Sequence, residues 1–295
     1  MKYLYPFLNP VEWIKAIKFH RKSSKFDKSA YDLELFLYSK ILTNNMLHYG
    51  FFDDISVKPE TISLKQLEDA QIRYGENIVE QIKDIRNPVL DVGCGLGGLA
   101  ELMHNKNLDV EVLTPNKDQI DFINKNYPFL KSHNYKFEHF ESARKYGTII
   151  NSESLQYIPL SEAFKQAEKI LLPMGKWIIS DYFRLDDKGI SKSSHLLEDF
   201  RQKLNEFNWR VIYERDITMN ILPTLIYVNM YAERFLMPLK HFGYEKLRFK
   251  KPWLYFMTNR LRDSIDNKII KEAAAIDPSR FINEKRYMFF VLEKT

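Results

Sequence analysis

The stretch PVLDVGCGLGGLAEL (Pro88–Leu102) decides the fold of this chain. It joins an apolar run, typical of a buried strand, to an amphipathic helix, and the loop between them holds four of the ten glycines in 295 residues. Glycine permits tight turns with positive φ and close approach of the backbone to a ligand. We therefore expect a ligand-binding turn at the amino end of a helix, where unpaired N–H groups are available.

Two ligand classes fit these glycines. Gly93, Gly95 and Gly98 satisfy G-x-G-x-x-G, the dinucleotide fingerprint. Gly93, Gly95 and Gly97, preceded by Asp91, satisfy D-x-G-x-G-x-G, the loop of class I methyltransferases that use S-adenosylmethionine (SAM). A carboxylate at Asp91 would repel a pyrophosphate, whereas it suits the cationic amino group of SAM. The loop therefore favours SAM as the cofactor.

The rest of the chain predicts the fold around this loop. Short apolar runs alternate with amphipathic stretches, which indicates parallel strands joined by right-handed helical crossovers. We expect an α/β fold with a doubly wound, Rossmann-like, seven-stranded and mostly parallel sheet. The predicted strands are PVLDV, DVEVLT, YKFEHF (Tyr135–Phe140), GTIIN, GKWIISDY, WRVIYE (Trp209–Glu214) and KRYMFFVLEK (Lys285–Lys294).

Helical segments flank this core on both sides. We expect a helical cover over residues 1–85, a SAM-binding core over 86–182, a helical substrate-binding insert with one core strand over 183–284, and a final core strand over 285–295. The predicted helices of the cover are Val11–Lys22, Tyr31–Leu47 and Ser63–Ile82. In the insert, Pro223, Pro238 and Pro252 are expected to break long aromatic-rich helices.

Composition excludes several classes of function. The net charge of +5 comes from basic residues spread along the chain, which does not favour a nucleic-acid partner. Cys94 is the only cysteine, so neither an intrachain disulfide nor a cysteine metal cluster is possible, and the scattered histidines indicate no metal site. No apolar run reaches about 18 residues and no secretory signal opens the chain, so we expect a cytoplasmic protein.

The motifs beyond the glycine loop carry a more specific resemblance. LHYGFFDD, VLDVGCGLGG, VEVLTPNKDQ and NSESLQYIP occur in the order and spacing of the cyclopropane fatty acid synthase, tocopherol methyltransferase and sterol methyltransferase group. The chain resembles that group from about His48 to Asp181. The resemblance implies a SAM-dependent methyltransferase with a small or lipid-like acceptor.

The resemblance also implies cofactor contacts. The second strand ends in Thr-Pro-Asn without an acidic residue, which is similar to the T-L-S-x-N-Q pattern of the cyclopropane synthases and assigns ribose and methionine contacts to Thr114 and Gln119. Gln119 could instead be only a polar residue of a first helical turn. Tyr49, in a segment similar to one that closes over SAM, and His139, in EHFE near the adenine, complete the expected set. An ordinary aromatic cluster is the alternative for Tyr49 and its neighbours.

The segment NSESLQYIP (Asn151–Pro159) is expected at the carboxyl edge of the sheet, where ligands of such folds bind. It resembles the E-S-G-E-H-M-P stretch of the tocopherol enzymes, and this assigns catalytic roles to Glu153 and Tyr157. Tyrosine in place of histidine argues against a histidine-type base, because tyrosine titrates near 10. The alternative is a helix-capping Glu153 and a core Tyr157.

The acceptor is expected to be a small molecule. The stretch NSES differs from the Asp/Asn-Pro-Pro-Tyr/Phe stretch of enzymes that methylate base or glutamine nitrogen, and no cysteine stands there to attack cytosine. The aromatic side chains of the insert favour a bulky apolar acceptor, although most of them could equally form core. They are accompanied by methionines, and the set is Tyr227, Tyr231, Phe235, Met237, Phe242, Tyr244, Trp253, Tyr255, Phe256 and Met257.

Two other functions stay open: a lipid-modifying enzyme at a membrane, and a non-catalytic binding protein of this fold. Peripheral membrane contact is expected through residues 11–22, where Trp13, Ile14 and Ile17 lie beside several lysines; packing of this helix on the domain is the alternative.

Overall fold

A computed structural model describes residues 9–23, 41–188 and 194–294. Seven strands of this part of the chain form one sheet: β1 (Val89–Val92), β2 (Val110–Leu113), β3 (Lys131–His133), β4 (Tyr146–Ser152), β5 (Leu171–Arg184), β6 (Trp209–Asp216) and β7 (Lys285–Lys294). β1, β2 and β4 are buried along almost their whole length, which is typical of parallel strands covered on both faces.

The strand order is β3-β2-β1-β4-β5-β7-β6, and β7 alone runs antiparallel to its two neighbours. The predicted seven-stranded, mostly parallel, Rossmann-like sheet is therefore confirmed. From β1 the chain turns first towards β2 and β3 and then returns to β4 on the other side, so the carboxyl ends of β1 and β4 form a topological switch point. Ligands of open α/β sheets bind in the crevice at such a point.

Helices cover both faces of this sheet. In chain order they are α1 (Pro10–Ser23), α2 (Leu64–Val79), α3 (Gly98–Asn105), α4 (Lys117–Asn126), α5 (Leu160–Ile170), α6 (Leu197–Glu206), α7 (Thr218–Tyr231), α8 (Met237–Lys250), α9 (Pro252–Met257), α10 (Asn259–Ala275) and α11 (Pro278–Glu284). Single 3-10 turns span Pro59–Thr61, Phe137–His139 and Leu155–Tyr157, and a π-helical turn spans Ala232–Leu236.

The alternation of side chains along the strands builds two apolar layers. Val89, Val112 and Ile150 face one layer, where α2, α3, α7 and α11 pack. Leu90 and Ile149 face the other, where α5 and α6 pack. α5 supplies its layer from Leu160, Ala163, Phe164, Ala167 and Ile170, the spacing of a helix with one apolar side.

The predicted strand at Tyr135–Phe140 is wrong. The third strand is Lys131–His133, and Phe137–His139 is a 3-10 turn. Phe137 and Phe140 are both buried, whereas Tyr135 is exposed. Residues three apart lie on the same side of a 3-10 turn, so this turn buries both rings where an extended strand would have sent them to opposite faces.

Two helix predictions also need correction. Of the predicted helix Tyr31–Leu47, residues 31–40 lie outside the described part, and residues 42–47 form a loop. Pro223 lies inside α7, and Pro238 follows the π-helical turn that joins α7 to α8, so neither ends a helix. A π-turn accommodates a proline because the ladder of hydrogen bonds is already interrupted there. Pro252 lies at the start of α9, as expected for a helix boundary.

Candidate active site

A loop over residues 44–52 crosses the carboxyl edge of the sheet and is tied down from two sides. The buried Gln71 side chain of α2 donates hydrogen bonds to the carbonyls of Met46 (3.0 Å) and His48 (2.8 Å). On the other side, the Gly50 N–H donates to Thr224 Oγ1 of α7 at 3.0 Å. A Cβ on Gly50 would stand 2.7 Å from Ala70 Cβ, so only glycine lets the loop approach α2 this closely. This loop, which we call the strap, covers the crevice at the switch point.

The glycine loop forms the floor of the crevice. Gly93, Gly95 and Gly97 all have positive φ, and Gly97 is the N-cap of α3. A Cβ on Gly93 would stand 2.3 Å from Ser154 Cβ, because Ser154 folds back over the loop and donates from Oγ to the Val92 carbonyl at 2.6 Å. Residue 93 must therefore be glycine for the end of β4 to pack against the end of β1.

Asp91 lies at the carboxyl end of β1 and is buried, and its Oδ2 has no hydrogen-bond partner. Burial raises its pKa to about 7. Glu111 on β2 is equally buried, but its pKa is shifted in the opposite direction. Burial raises its pKa too, but hydrogen bonds from His133, Arg144, Tyr146 and Lys131 outweigh that effect and lower the pKa to about 2. An unpartnered buried carboxylate is costly, and a cationic group bound in the crevice would stabilise it.

Glu153 follows β4 and is held in a left-handed conformation, with φ of 52°. Its Oε1 accepts hydrogen bonds from the Tyr49 N–H of the strap at 2.8 Å and from the Tyr287 hydroxyl of β7 at 2.7 Å. Tyr287 also contacts the Tyr74 hydroxyl of α2 at 2.9 Å. Burial raises the pKa of Glu153 to about 7 even though these two hydrogen bonds lower it. The carboxyl group is thus oriented by three elements and can exchange a proton near neutral pH.

These groups line a cavity of about 330 Å³ at the switch point. Its lining is Asn45, Met46, Leu47, His48, Asp91, Gly93, Cys94, Gly95, Gly98, Leu99, Gln119, Ser152, Glu153 and Tyr157. This cofactor cavity has two carboxyl groups, and the residues of its lining that the structure describes include neither lysine nor arginine. It therefore suits a cationic ligand and disfavours the pyrophosphate of a dinucleotide, which separates the two ligand classes that the glycines alone left open.

A second cavity of about 210 Å³ adjoins the first, sharing Leu47, His48, Glu153 and Tyr157 with it. Its other lining residues are Leu42, Tyr49, Leu67, Gln71, Gln156, Tyr182, Thr224, Leu225, Val228 and Ile276. This second cavity is mostly apolar, and α7 contributes three of its described residues.

The structure brings most of the sequence-predicted residues together. Of the predicted set, Asp91, Gly93, Gly95, Gln119, Glu153 and Tyr157 line the cofactor cavity. Thr114 is buried behind it and donates a hydrogen bond to Gln119 Oε1 at 2.6 Å, while Tyr49 lines the second cavity. His139 is exposed on its 3-10 turn and lines neither cavity.

Other expectations for this region do not match the structure. Glu153 accepts from Tyr49 and Tyr287 and caps no helix, and Tyr157 is 78% exposed and belongs to no core. The aromatic insert does not line either cavity through the residues expected to do so: Phe235, Phe242, Phe256 and Met257 are all exposed. Of the described insert residues, Thr224, Leu225 and Val228 on α7 and Ile276 after α10 line the second cavity.

Sequence reasoning missed His48 as a separate candidate. Its Nδ1 lies 2.9 Å from the Tyr49 carbonyl, which identifies Nδ1 as the donor and leaves Nε2 unprotonated, and Nε2 is buried without a partner. Burial lowers its pKa to about 4, so the ring is neutral at pH 7. The HYG motif was a usable signal, but only the tertiary structure shows that the ring stacks on Tyr74, with centroids 4.2 Å apart.

A Rossmann-like sheet with a carboxylate-lined, glycine-floored cavity at its switch point defines a class I SAM-dependent methyltransferase. The chain belongs to a family of methyltransferase domains, whose sequence pattern matches residues 66–225, more than half of its length. SAM is the cofactor of this class, and the unpartnered Asp91 carboxylate and the glycine floor fit it. No curated protein sequence is significantly similar to the chain.

Solved structures share the fold at low sequence identity. Geranyl diphosphate C-methyltransferase from Streptomyces coelicolor A3(2) is 14% identical with a TM-score of 0.62, covering 92% of this chain and 94% of its own. The cyclopropane synthase MmaA2 from Mycobacterium tuberculosis is 13% identical with a TM-score of 0.62, covering 90% and 95%. The cyclase SpnF is 13% identical with a TM-score of 0.62, covering 88% and 92%. These likenesses concern the fold.

Proposed function

We propose that this protein transfers the methyl group of SAM to a small, uncharged, apolar or amphipathic acceptor, such as a natural product, an isoprenoid or a lipid. The observation that carries the proposal is the second cavity, which adjoins the cofactor cavity at Glu153 and is lined mainly by leucine, valine, isoleucine and tyrosine side chains. A largely apolar cleft with a few convergent polar groups is the usual form of a small-molecule site.

The charges of this cavity narrow the acceptor class. Two solved structures of similar fold, both of geranyl diphosphate methyltransferases, contain geranyl diphosphate. Among the fourteen described residues that line the second cavity there is no lysine or arginine, and Glu153 is the only carboxylic acid. A diphosphate would meet a carboxylate without a compensating cation. An acceptor of similar bulk without a phosphate fits this lining better.

When bound, SAM supplies an electrophilic methyl group on a sulfonium. The residues of the chain bind SAM, orient it towards the acceptor and take up the proton that the acceptor releases. Asp91 binds the amino group of the cofactor, and Gly93, Gly95 and Gly97 provide its bed. Thr114 orients Gln119 towards the ribose and methionine end.

Glu153 and Tyr157 are the proposed catalytic pair, since both border the two cavities. Glu153 accepts the proton that the acceptor loses when it gains the methyl group, and Tyr287 and Tyr49 position its carboxyl group through their hydrogen bonds. A pKa of about 7 leaves a large ionised fraction at neutral pH while keeping the group basic enough to take a proton.

Radiolabel transfer tests this proposal. With methyl-labelled SAM, wild-type protein is expected to label neutral prenylated or phenolic compounds in an organic extract, and not the matching prenyl diphosphates.

Glu153→Gln is expected to lower turnover by about 100-fold or more while leaving SAM affinity within about threefold. Tyr287→Phe, which removes one hydrogen bond to Glu153, should shift the rising limb of the turnover–pH profile. Efficient labelling of the diphosphate, or full turnover by Glu153→Gln, would contradict the assignment.

A membrane-associated, lipid-modifying activity is the second candidate. It is favoured by α1, where Trp13, Ile14 and Ile17 are each about half exposed beside Lys15 and Lys18. An apolar stripe flanked by basic residues is typical of a helix that lies in a membrane interface. Within the described part of the chain, no helix combines the length and apolarity needed to cross a bilayer. Charge reversal at Lys15 and Lys18 should reduce vesicle binding if α1 makes this contact.

A further inference from the structure

Helices α8 and α9 place polar side chains against the neighbouring helix α10 and apolar side chains in solvent. This is the reverse of what is usual for helices at a protein surface. Their contacts with α10 are polar and cationic: Lys240 Nζ lies 2.9 Å from Asp266 Oδ1, and the Tyr244 hydroxyl lies 3.4 Å from the same oxygen. The Arg262 guanidinium lies 3.5 Å from the centre of the Tyr255 ring. These contacts orient both helices and occupy their polar side chains.

The opposite side of both helices is apolar and exposed. On α8, Leu239, Phe242 and Phe249 recur at positions i, i+3 and i+10, which lie along one side of a helix. On α9, Trp253, Phe256 and Met257 recur at i, i+3 and i+4. The exposed fractions of these six side chains range from 38% to 74%. We call these six residues the outward face. An ordinary surface helix shows the reverse arrangement, with its apolar stripe towards the core.

The segment that carries the outward face is basic, and two of its cations are paired: Lys240 with Asp266 of α10 and Arg248 with Glu245. Residues 237–257 contain five basic side chains (Lys240, Lys246, Arg248, Lys250 and Lys251) and one acidic side chain, Glu245, which gives a net charge of +4. The whole chain has a net charge of +5. Lys246 lies one turn from Phe242, with its Nζ 5.5 Å from the ring centre, and Lys250 adjoins Phe249. Lysines therefore border the aromatic rings on the exposed side.

We propose that the outward face docks on the surface of an anionic phospholipid bilayer, with its aromatic and aliphatic side chains among the acyl chains and its lysines at the headgroups. Long lysine side chains suit this arrangement because their stems lie along apolar surface while their ammonium groups reach the lipid phosphates. A second copy of this chain is a poor occupant, since Lys246 and Lys250 would face the same lysines of the other copy and repel them. A protein partner is also disfavoured, because protein interfaces are depleted in lysine.

This surface is separate from α1 and does not depend on the proposed methyl transfer. The test is co-sedimentation of the full chain with vesicles of phosphatidylcholine alone and of phosphatidylcholine with about 30 mol% phosphatidylglycerol. Wild-type protein is expected to bind the anionic vesicles and to be released by high salt. Each lysine near such a surface contributes about fivefold in binding, so Lys246→Glu with Lys250→Glu should weaken binding by at least about 25-fold.

A second variant tests the apolar contribution. Phe249→Ser with Phe256→Ser should weaken binding by about tenfold or more, since each ring leaves water on docking. Ile85→Ser with Lys136→Glu is the matched control, because both residues are exposed on other parts of the molecule, and it should bind like wild type. Circular dichroism and SAM titration are used to check that every variant is folded.

Three results would overturn this assignment. One is the absence of wild-type binding to anionic vesicles. Another is unchanged binding of both outward-face variants while Ile14→Ser with Ile17→Ser abolishes it, which would place the contact on α1. The third is a wild-type dimer, measured by light scattering without lipid, that the phenylalanine variant converts to a monomer. If SAM binds the variants normally in each case, the methyltransferase assignment is unaffected.

Discussion

Replacement of Asp91 by asparagine should make the free protein more stable and the cofactor site weaker. Burial raises the pKa of Asp91 from 3.8 to about 7, which corresponds to about 4 kcal/mol of destabilisation of the folded protein when this group is ionised. Because the folded pKa lies above the unfolded value, wild-type stability falls as pH rises from about 4 to about 7. Asparagine removes this loss but leaves an unpartnered amide that costs about 1–3 kcal/mol. The variant should therefore gain about 1–3 kcal/mol at pH 8.

Cofactor binding should change in the opposite direction. A hydrogen bond to a charged group contributes about 1.5–3 kcal/mol, so Asp91→Asn should weaken SAM binding by about 10- to 150-fold at pH 7. In wild type, only ionised Asp91 attracts the amino group, and SAM affinity should rise on the order of tenfold between pH 5.5 and pH 7. The variant should lack this rise.

Calorimetric titration with SAM and urea unfolding, each at pH 5.5, 7 and 8, measure both effects. Asp118→Asn is the matched control: Asp118 is exposed in the first turn of α4, beside Gln119. It should leave SAM affinity, its pH dependence and stability near the wild-type values. The reasoning is refuted if Asp91→Asn binds SAM as tightly as wild type, or if its affinity keeps the wild-type dependence on pH.

Three further substitutions test the packing of the site and of α8. Gly93→Ala should destabilise the protein by about 1–3 kcal/mol and weaken SAM binding, because its φ is +75° and its new Cβ would stand 2.3 Å from Ser154 Cβ. Gly243→Ala on α8, where a Cβ meets nothing within 4 Å, should instead stabilise by up to about 1 kcal/mol, and urea unfolding compares the two. Val228→Phe should narrow the second cavity, raising KM for the acceptor while leaving the SAM dissociation constant unchanged; an unchanged KM would move the acceptor elsewhere.

The success of sequence reasoning at the switch point has a local cause. The tight turn after β1 needs positive φ at Gly93, Gly95 and Gly97, and that demand is visible as glycine in the sequence. The strap around Gly50 was also visible as HYGFF. The failure at Tyr135–Phe140 is equally physical, since two phenylalanines three residues apart fit either a strand or a turn until the core that they enter is known.

The apolar residues of the insert show a different limit. Phe242 and Phe256 were interpreted as cavity or core because burial is the usual environment of phenylalanine. Their exposure follows from Asp266 and Arg262 on α10, which contact the polar sides of α8 and α9. Periodicity shows that a helix has two sides, but only its tertiary contacts show which side faces the protein.

The sequence by itself determined the parallel sheet, the glycine loop and the acidic residue at its start, because strand burial, helical periodicity and turn conformation are local properties. The tertiary structure alone decided the chemistry of the site. Glu153 receives one of its hydrogen bonds from Tyr287, 134 residues further along the chain, and Asp91 has a raised pKa because burial excludes water from it. Burial and partnership set the charge state of a carboxyl group, and both depend on residues that are distant in the sequence.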